Sequence, residues 1–277
     1  MPIVKLFVEG NLEMELLNSI FQGSPVLQQG GSKNALRPRA RSDRADNKVA
    51  AGYLRDRDFD YEPPNTLTEP TVDCTENNSV AIGWRWCRHE TENYLLEPSL
   101  VHAAMQWSIR EVEDAIFSSA TKIRYYEAAR WTIGTVRRVL PPNFELRTRP
   151  NLNEIALPKS LDVFSTRNWA EQSISEHRMR ILESMAPDDV SGSFDQFAAK
   201  FDENFLRDTA QVLLWFSGKD ILAGMEEWLN FKDIPNPGAF RAIVRNWIID
   251  NPERTLELLP EWHSLVHLLR GSDRNEL

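Results

Sequence analysis

The stretch IVKLFVEG, residues 3–10, is the most informative segment of the chain. Ile3 to Val8 is nearly continuous in apolar and β-branched residues, the composition of a strand covered on both faces, as in a parallel sheet. The run stops at Glu9-Gly10. Leu12, Leu16, Leu17, Ile20 and Phe21 then recur at helical spacing, with Gly23 as the stop, so the first unit reads strand, turn, helix.

Outward from this unit the alternation continues. Pro25 to Gln28 reads as a short second strand before Gly30-Gly31. The polar stretch SKNALRPRARSDR, residues 32–44, follows and reads as including a loop. Val49 to Leu54 reads as a third strand running into Arg55-Asp56-Arg57-Asp58-Phe59-Asp60, and Pro63-Pro64 ends regular structure there. Ser79 to Trp86 reads as a fourth strand. RHETENYLLEP, residues 88–98, then suggests a short helix ending at Pro98.

Beyond Pro98 strands give way to helices alone, because Val101, Met105, Ile109, Val112, Ile116, Ile123, Ala128 and Ile133 keep a helical period. Pro141-Pro142 and Pro150 break this region, and an irregular run extends to Lys159. Helical patterns resume around Trp169, Phe205 to Trp215, Ile221 to Leu229 and Phe240 to Ile249. The pattern predicts an α/β domain over residues 1–98, with a mainly parallel Rossmann-like sheet, followed by an all-α region over residues 99–277.

Composition bounds the function. With 277 residues and 42% hydrophobic content the chain buries a substantial core. A net charge of -9 argues against coating nucleic acid or an anionic membrane by bulk charge, so any such contact is local. Cys74 and Cys87 lack zinc-site spacing and read as buried thiols in a reducing cytosol. With no basic leader and no stretch of membrane-spanning length, the expectation is a cytoplasmic protein with no membrane association. Gly218-Lys219 lacks the upstream glycine of a P-loop, and His263 and His267 lack a third ligand nearby. The tryptophans read as filler of the helical core.

A carboxylate at the end of the first strand and an Asp-x-Asp at the end of a later one converge at the edge of an open parallel sheet. Glu9, Asp56 and Asp58 held together repel unless a cation neutralises them, and hard oxygen ligands suit magnesium or manganese. The order V-E-G, Gly-Gly, D-x-D resembles the TOPRIM domain shared by topoisomerases, primases and several nucleases, over residues 1–98. LRDRDFD and RHETENYLLEP look like the nuclease branch: the OLD family and the stand-alone TOPRIM effectors of PARIS antiphage systems, which accompany ABC-type ATPases.

The resemblance implies catalysis at Glu9, Asp56, Asp58 and Glu92, with a pair of Mg2+ or Mn2+ ions. Glu92 precedes Asn93-Tyr94, where that branch carries a further acidic group. Glu90 competes with it, since two residues apart on a helix point about 200° from each other. Glu13, one helical turn past Glu9, is a further expected ligand. Asp60 either assists the metal or begins the loop that Pro63 closes. Lys33, Arg37, Arg39, Arg41 and Arg44, between two site-forming strands, are candidate phosphate contacts, with a solvated loop as the alternative. A second series, Lys122, Arg124, Arg130, Arg137 and Arg138, reads as part of an ordinary amphipathic helix, with a nucleic-acid groove as the alternative.

The function these readings imply is a metal-dependent nuclease acting on RNA such as tRNA, or on DNA. It would be the toxic effector of an antiviral system controlled by an ABC-type ATPase, with room for a homodimer. The alternative is a non-catalytic TOPRIM scaffold or inhibitor subunit that docks an ATPase complex.

Overall fold

A computed structural model describes residues 2–76, 80–139, 163–184 and 186–271. The chain runs β1 (Lys5–Val8), α1 (Asn11–Phe21), β2 (Val26–Gln29), α2 (Lys33–Asp46), β3 (Ala51–Arg55), β4 (Thr71–Glu76) and β5 (Val80–Arg85). Only helices follow among the described residues: α3 (Glu92–Leu95), α4 (Pro98–Met105), α5 (Ile109–Val139), α6 (Val163–Ser184), α7 (Pro187–Lys200), α8 (Glu203–Arg207), α9 (Thr209–Trp215), α10 (Gly218–Gly224), α11 (Glu226–Phe231), α12 (Pro237–Asp250), α13 (Pro252–Leu258) and α14 (Pro260–Arg270). The expected breaks at Pro141-Pro142 and Pro150, the irregular run to Lys159, and Ser79 lie outside the described residues.

The fold class is α/β. Its sheet has the order β2-β1-β3-β5-β4, parallel except for β4 against β5. From β1 the chain moves to β2 on one side and returns as β3 on the other. The crevice between β1 and β3 is therefore a topological switch point, at the strand ends where open α/β sheets hold ligands. Phe7, Tyr53 and Ile82 face α2, closing a core with Leu36, Ala40, Ala51 and Cys74. Leu6 and Val8 alternate with Phe7 and are buried on the opposite face. The Tyr53 ring lies over Gly83, where an added Cβ would come within 2.1 Å of Tyr53 Cζ, and its hydroxyl donates to Asp73 Oδ2 at 2.6 Å.

Two sequence expectations are corrected. The basic stretch is a helix, α2, despite Pro38 inside it. Leu36 and Ala40, one turn apart, supply its buried stripe, and so little apolar content leaves no periodic signal. A strand was also missed between Pro64 and Ser79. β4 is an antiparallel edge strand in which Cys74 alone is buried, so TVDCTE has no hydrophobic run to read. Both cysteines are free and buried.

The end of the strand pattern at residue 98 does not coincide with the spatial partition. Residues 1–127 and 201–277 form one compact unit, and residues 128–200 another. The first unit is closed by returns from the C-terminal helices. Trp86 stacks on Trp262 at 5.6 Å between ring centroids, and Glu261 accepts hydrogen bonds from the Cys87 N–H at 2.7 Å and from the Tyr94 hydroxyl. The Ile3 N–H donates to the Leu269 carbonyl at 2.8 Å. In the second unit Trp131 packs on Phe197 at 5.7 Å. No helix among the described residues is long and apolar enough to cross a membrane.

Arg57, the middle residue of the Asp-x-Asp, is fully buried. It donates Nε to the Cys87 carbonyl at 2.9 Å, Nη1 to the Tyr61 carbonyl at 2.5 Å and Nη2 to the Leu214 carbonyl. Burial lowers its pKa to about 10, so it stays charged near neutral pH. Replacing it by methionine leaves buried carbonyls without their donor, each at a cost of about 1 to 3 kcal/mol. Arg57→Met is therefore expected to lower Tm by at least about 6 °C in differential scanning fluorimetry. An unchanged Tm would show that the acidic loop is held by other means.

Candidate metal centre

Three adjacent parallel strands deliver the acidic residues. β1 passes directly to Glu9 and β3 directly to Asp56, while β5 leads within a few residues to His89, Glu90 and Glu92. Glu9 Oε1 accepts the Asp56 N–H at 3.1 Å, which pins the two strand ends together across the switch point. Asp56 is buried, and its Oδ1 accepts from both the Thr91 N–H at 3.0 Å and the Thr91 hydroxyl at 3.2 Å. The β5 extension is thereby tied to the same point. Glu13 is buried in the first turn of α1, where its Oε2 accepts the Gly10 N–H at 3.0 Å.

The cost of this convergence is written in the proton affinities. Burial, then repulsion from Asp58 and Glu13, raises Glu9 to about 7 against the partial relief of its bond to Asp56. Asp56 stands well above the usual carboxylate range, through burial and then Glu13, Asp58 and Glu9. Glu92 is also raised, by burial and by Glu90, with Lys219 opposing. Glu9, Glu13, Asp56 and Asp58 thus act on one another as neighbours, with Glu90 and Glu92 beside them.

Asp58 and Asp60 have a different environment. Lys33, the first residue of α2, donates Nζ to Asp58 Oδ2 at 2.8 Å and to Asp60 Oδ2 at 2.6 Å. Burial works against the charged lysine, but the bonds to the two aspartates outweigh it and raise its pKa. Asp60 also accepts from Arg55 Nη2 at 2.5 Å, so it sits in an ion-pair triad. Asp58 has a left-handed backbone, φ 49°, a strained conformation for a residue with a side chain, and its N–H donates to the His89 carbonyl at 2.8 Å.

That contact brings His89 into the centre, a residue the sequence reading passed over. Asp58, His89 and Glu90 each offer a ligand atom within 4.8 Å of the others, and this buried group could hold a metal ion. Phe59 fixes the imidazole edge-on, 4.2 Å between ring centroids. Nothing in HET marks the histidine as special; only the turn after β5 folds it back over Asp58.

The same turn removes the geometric ground for choosing between Glu90 and Glu92. Helix α3 begins at Glu92, so Glu90 lies in the bend before it and the helical separation does not apply. Both carboxylates are buried. Glu90 Oε1 accepts from Ser217 Oγ and from the Lys219 N–H, each at 2.8 Å, and Oε2 from Lys219 Nζ at 2.7 Å. Glu92 lies 3.4 Å from Lys219 Nζ and accepts from Arg241 Nη1 at 3.3 Å. Gly218 permits this closure: an added Cβ would come within 2.6 Å of the Asn93 nitrogen. Gly218-Lys219 therefore contributes a counter-charge from far along the chain, which no local motif signals.

Of the basic stretch, Lys33 alone reaches the acidic centre. Arg44 donates to Glu76 Oε2 at 3.0 Å and to the Ala51 carbonyl at 2.8 Å, bracing the sheet. Arg37, Arg39 and Arg41 are exposed on α2. The second basic series begins on α5, and His263 and His267 on α14 lie with Nε2 atoms 3.2 Å apart.

No protein-family model matches the chain, and no curated protein shows significant similarity to it.

The raised carboxylates set a pH dependence. Above an unfolded value near 4.5 and up to a folded value of about 7, native Glu9 keeps a proton that the unfolded chain releases; buried Glu261, also raised to about 7, does the same. This contribution is complete below the unfolded value and is lost as pH rises through the folded one. In EDTA, Tm should therefore be higher near pH 5 than near pH 8, and Glu9→Gln should recover stability at the higher pH. A wild-type Tm that instead rises across this window would contradict the raised proton affinities of these two buried carboxylates.

Proposed function

We propose that the chain is a divalent-metal-dependent nuclease of the TOPRIM type, hydrolysing phosphodiesters in RNA or DNA. The observation that carries this reading is the convergence of Glu9, Asp56 and Asp58 at the carboxyl ends of β1 and β3, with Glu9 bound to the Asp56 N–H. Buried carboxylates at a ligand-binding crevice, their proton affinity raised by burial and by one another, suit a hard dication. His89 adds a nitrogen donor, a choice that favours Mn2+ over Mg2+. Such ions, when bound, supply Lewis-acid activation of water and neutralise charge on the scissile phosphate.

The chain's own residues then divide the work. Glu9, Asp56, Asp58, His89 and Glu90 serve as ligands, and buried Glu13 and Glu92 add negative charge beside them. Thr91 holds Asp56 in orientation through two hydrogen bonds. Lys33 remains the counter-ion of Asp60 and yields Asp58 to the metal. The ENYLL segment, whose Asn93 and Tyr94 anchor the β5 extension to the C-terminal helices, supports the further reading as an antiviral effector governed by an ABC-type ATPase.

One observation favours a second reading. Lys33, Arg55, Lys219 and Arg241 already pair with Asp58, Asp60, Glu90 and Glu92, so the crevice is held together by internal ion pairs. A non-catalytic TOPRIM scaffold would be stable in this state. Incubation of the purified chain with supercoiled plasmid, single-stranded DNA and tRNA, in MnCl2, MgCl2 or EDTA, separates the two. The nuclease reading expects cleavage with metal and none in EDTA, abolished in Glu9→Ala and Asp58→Ala with circular dichroism unchanged. Cleavage that persists in both variants would sink it, and no cleavage of any substrate would favour the scaffold.

A further inference from the structure

Beside the acidic centre a groove runs over the N-terminal half of α12. One part, about 330 Å³, is lined by Asn11, Leu12 and Glu15 of α1 and by Gly238, Arg241 and Arg245. The next part, about 180 Å³, shares Gly238 and Arg241 and ends on Glu92 and Lys219. The two therefore adjoin along α12, between Asn11 of α1 at one end and Glu92 and Lys219 at the other. Arg241 and Arg245, four residues apart, stand on one face of α12 about 6 Å from each other.

These arginines are placed to receive anions. Arg241 donates Nη1 to Glu92, yet its side chain is 46% exposed and its planar fork keeps further N–H donors toward the groove. Arg245 donates Nη1 to Glu15 Oε2 at 2.8 Å and Nε and Nη2 to Asn246 Oδ1 at 3.2 and 3.0 Å, and at 33% exposure it keeps a second N–H on each terminal nitrogen. Gly238, without a side chain, leaves the floor open where the two parts join. In a chain of net charge -9, a row of cations ending at carboxylates is a local exception with a direction.

We propose that this groove takes the sugar-phosphate backbone of single-stranded nucleic acid, with Arg245 and Arg241 on its phosphates and the strand running toward Glu92. The inference rests on the nuclease reading for the destination of the strand, and on the groove itself for its path. Arginine forks match phosphate oxygens in two-bond geometry. The larger part, about 330 Å³, is of the size that holds a nucleotide-sized group.

The test measures fluorescence anisotropy of a labelled deoxythymidine 12-mer, a uridine 12-mer and a hairpin duplex on the full chain. Two variants are used: Arg245→Glu, and Ala242→Glu, which adds a carboxylate to the groove wall without removing a native contact. Both should weaken single-strand binding tenfold or more, and Arg245→Gln should reduce the slope of log K against log salt by about 0.7. Unchanged binding in both glutamate variants, no single-strand binding by the wild type, or a duplex bound as tightly as the single strands would overturn the groove. Calorimetry with MnCl2 runs beside it. Wild-type manganese binding with unaltered oligonucleotide binding in the variants refutes the groove alone, whereas absent manganese binding with weakened oligonucleotide binding refutes the metal centre and leaves the groove standing.

Discussion

Mutual repulsion among carboxylates at the β1–β3 switch point is the constraint around which the rest of this structure is arranged. Glu9, Glu13, Asp56 and Asp58 come from two strand ends and a helix start, and Asp56 is buried with its charge opposed by the other three. Left alone, such a group would push the strand ends apart. The chain opposes that with directed bonds, the Asp56 N–H to Glu9 and Thr91 to Asp56, and with cations brought from elsewhere, Lys33 from α2 and Lys219 from α10. Protonation of Glu9 near neutral pH is a third answer. A dication would serve all the carboxylates at once.

The helices that follow the sheet belong to this arrangement. Arg57 reaches through the loop to the end of α9, and Asn93 donates to the Phe216 carbonyl at 2.8 Å. Glu261 receives the Cys87 N–H and the Tyr94 hydroxyl, with Trp86, Tyr94 and Trp262 packed around it. Each tie fixes the segment carrying His89, Glu90 and Glu92 against elements more than a hundred residues distant. The C-terminal helices thus position the third side of the crevice, which explains why residues 201–277 share a compact unit with the sheet.

What was legible in the sequence was whatever has a local period or a strand-end position. The buried run before Glu9, the stripe of α1 and the strand entering Asp56 all leave such marks; Glu9 and Asp56 directly follow adjacent strands, and Asp58 lies two residues further on. β4 was illegible because an edge strand with one buried residue carries no run, and α2 because two buried apolar residues and a proline carry no period. His89 was missed because its approach to Asp58 depends on a bend after β5, and Lys219 and Arg241 because their partners lie more than a hundred positions away. Sequence reading finds groups set by strand register. It does not find the counter-ions that tertiary closure selects.

The account's central claim is that a dication belongs among these carboxylates. Anomalous X-ray diffraction from crystals soaked in MnCl2 tests it most directly. The account expects an anomalous peak within coordination distance of Asp58 and at least one of Glu9, Asp56, His89 and Glu90, with Lys33 moved off Asp58. The contradicting result is a map without a peak in the crevice, Lys33 still bridging Asp58 and Asp60 at full manganese occupancy elsewhere in the crystal.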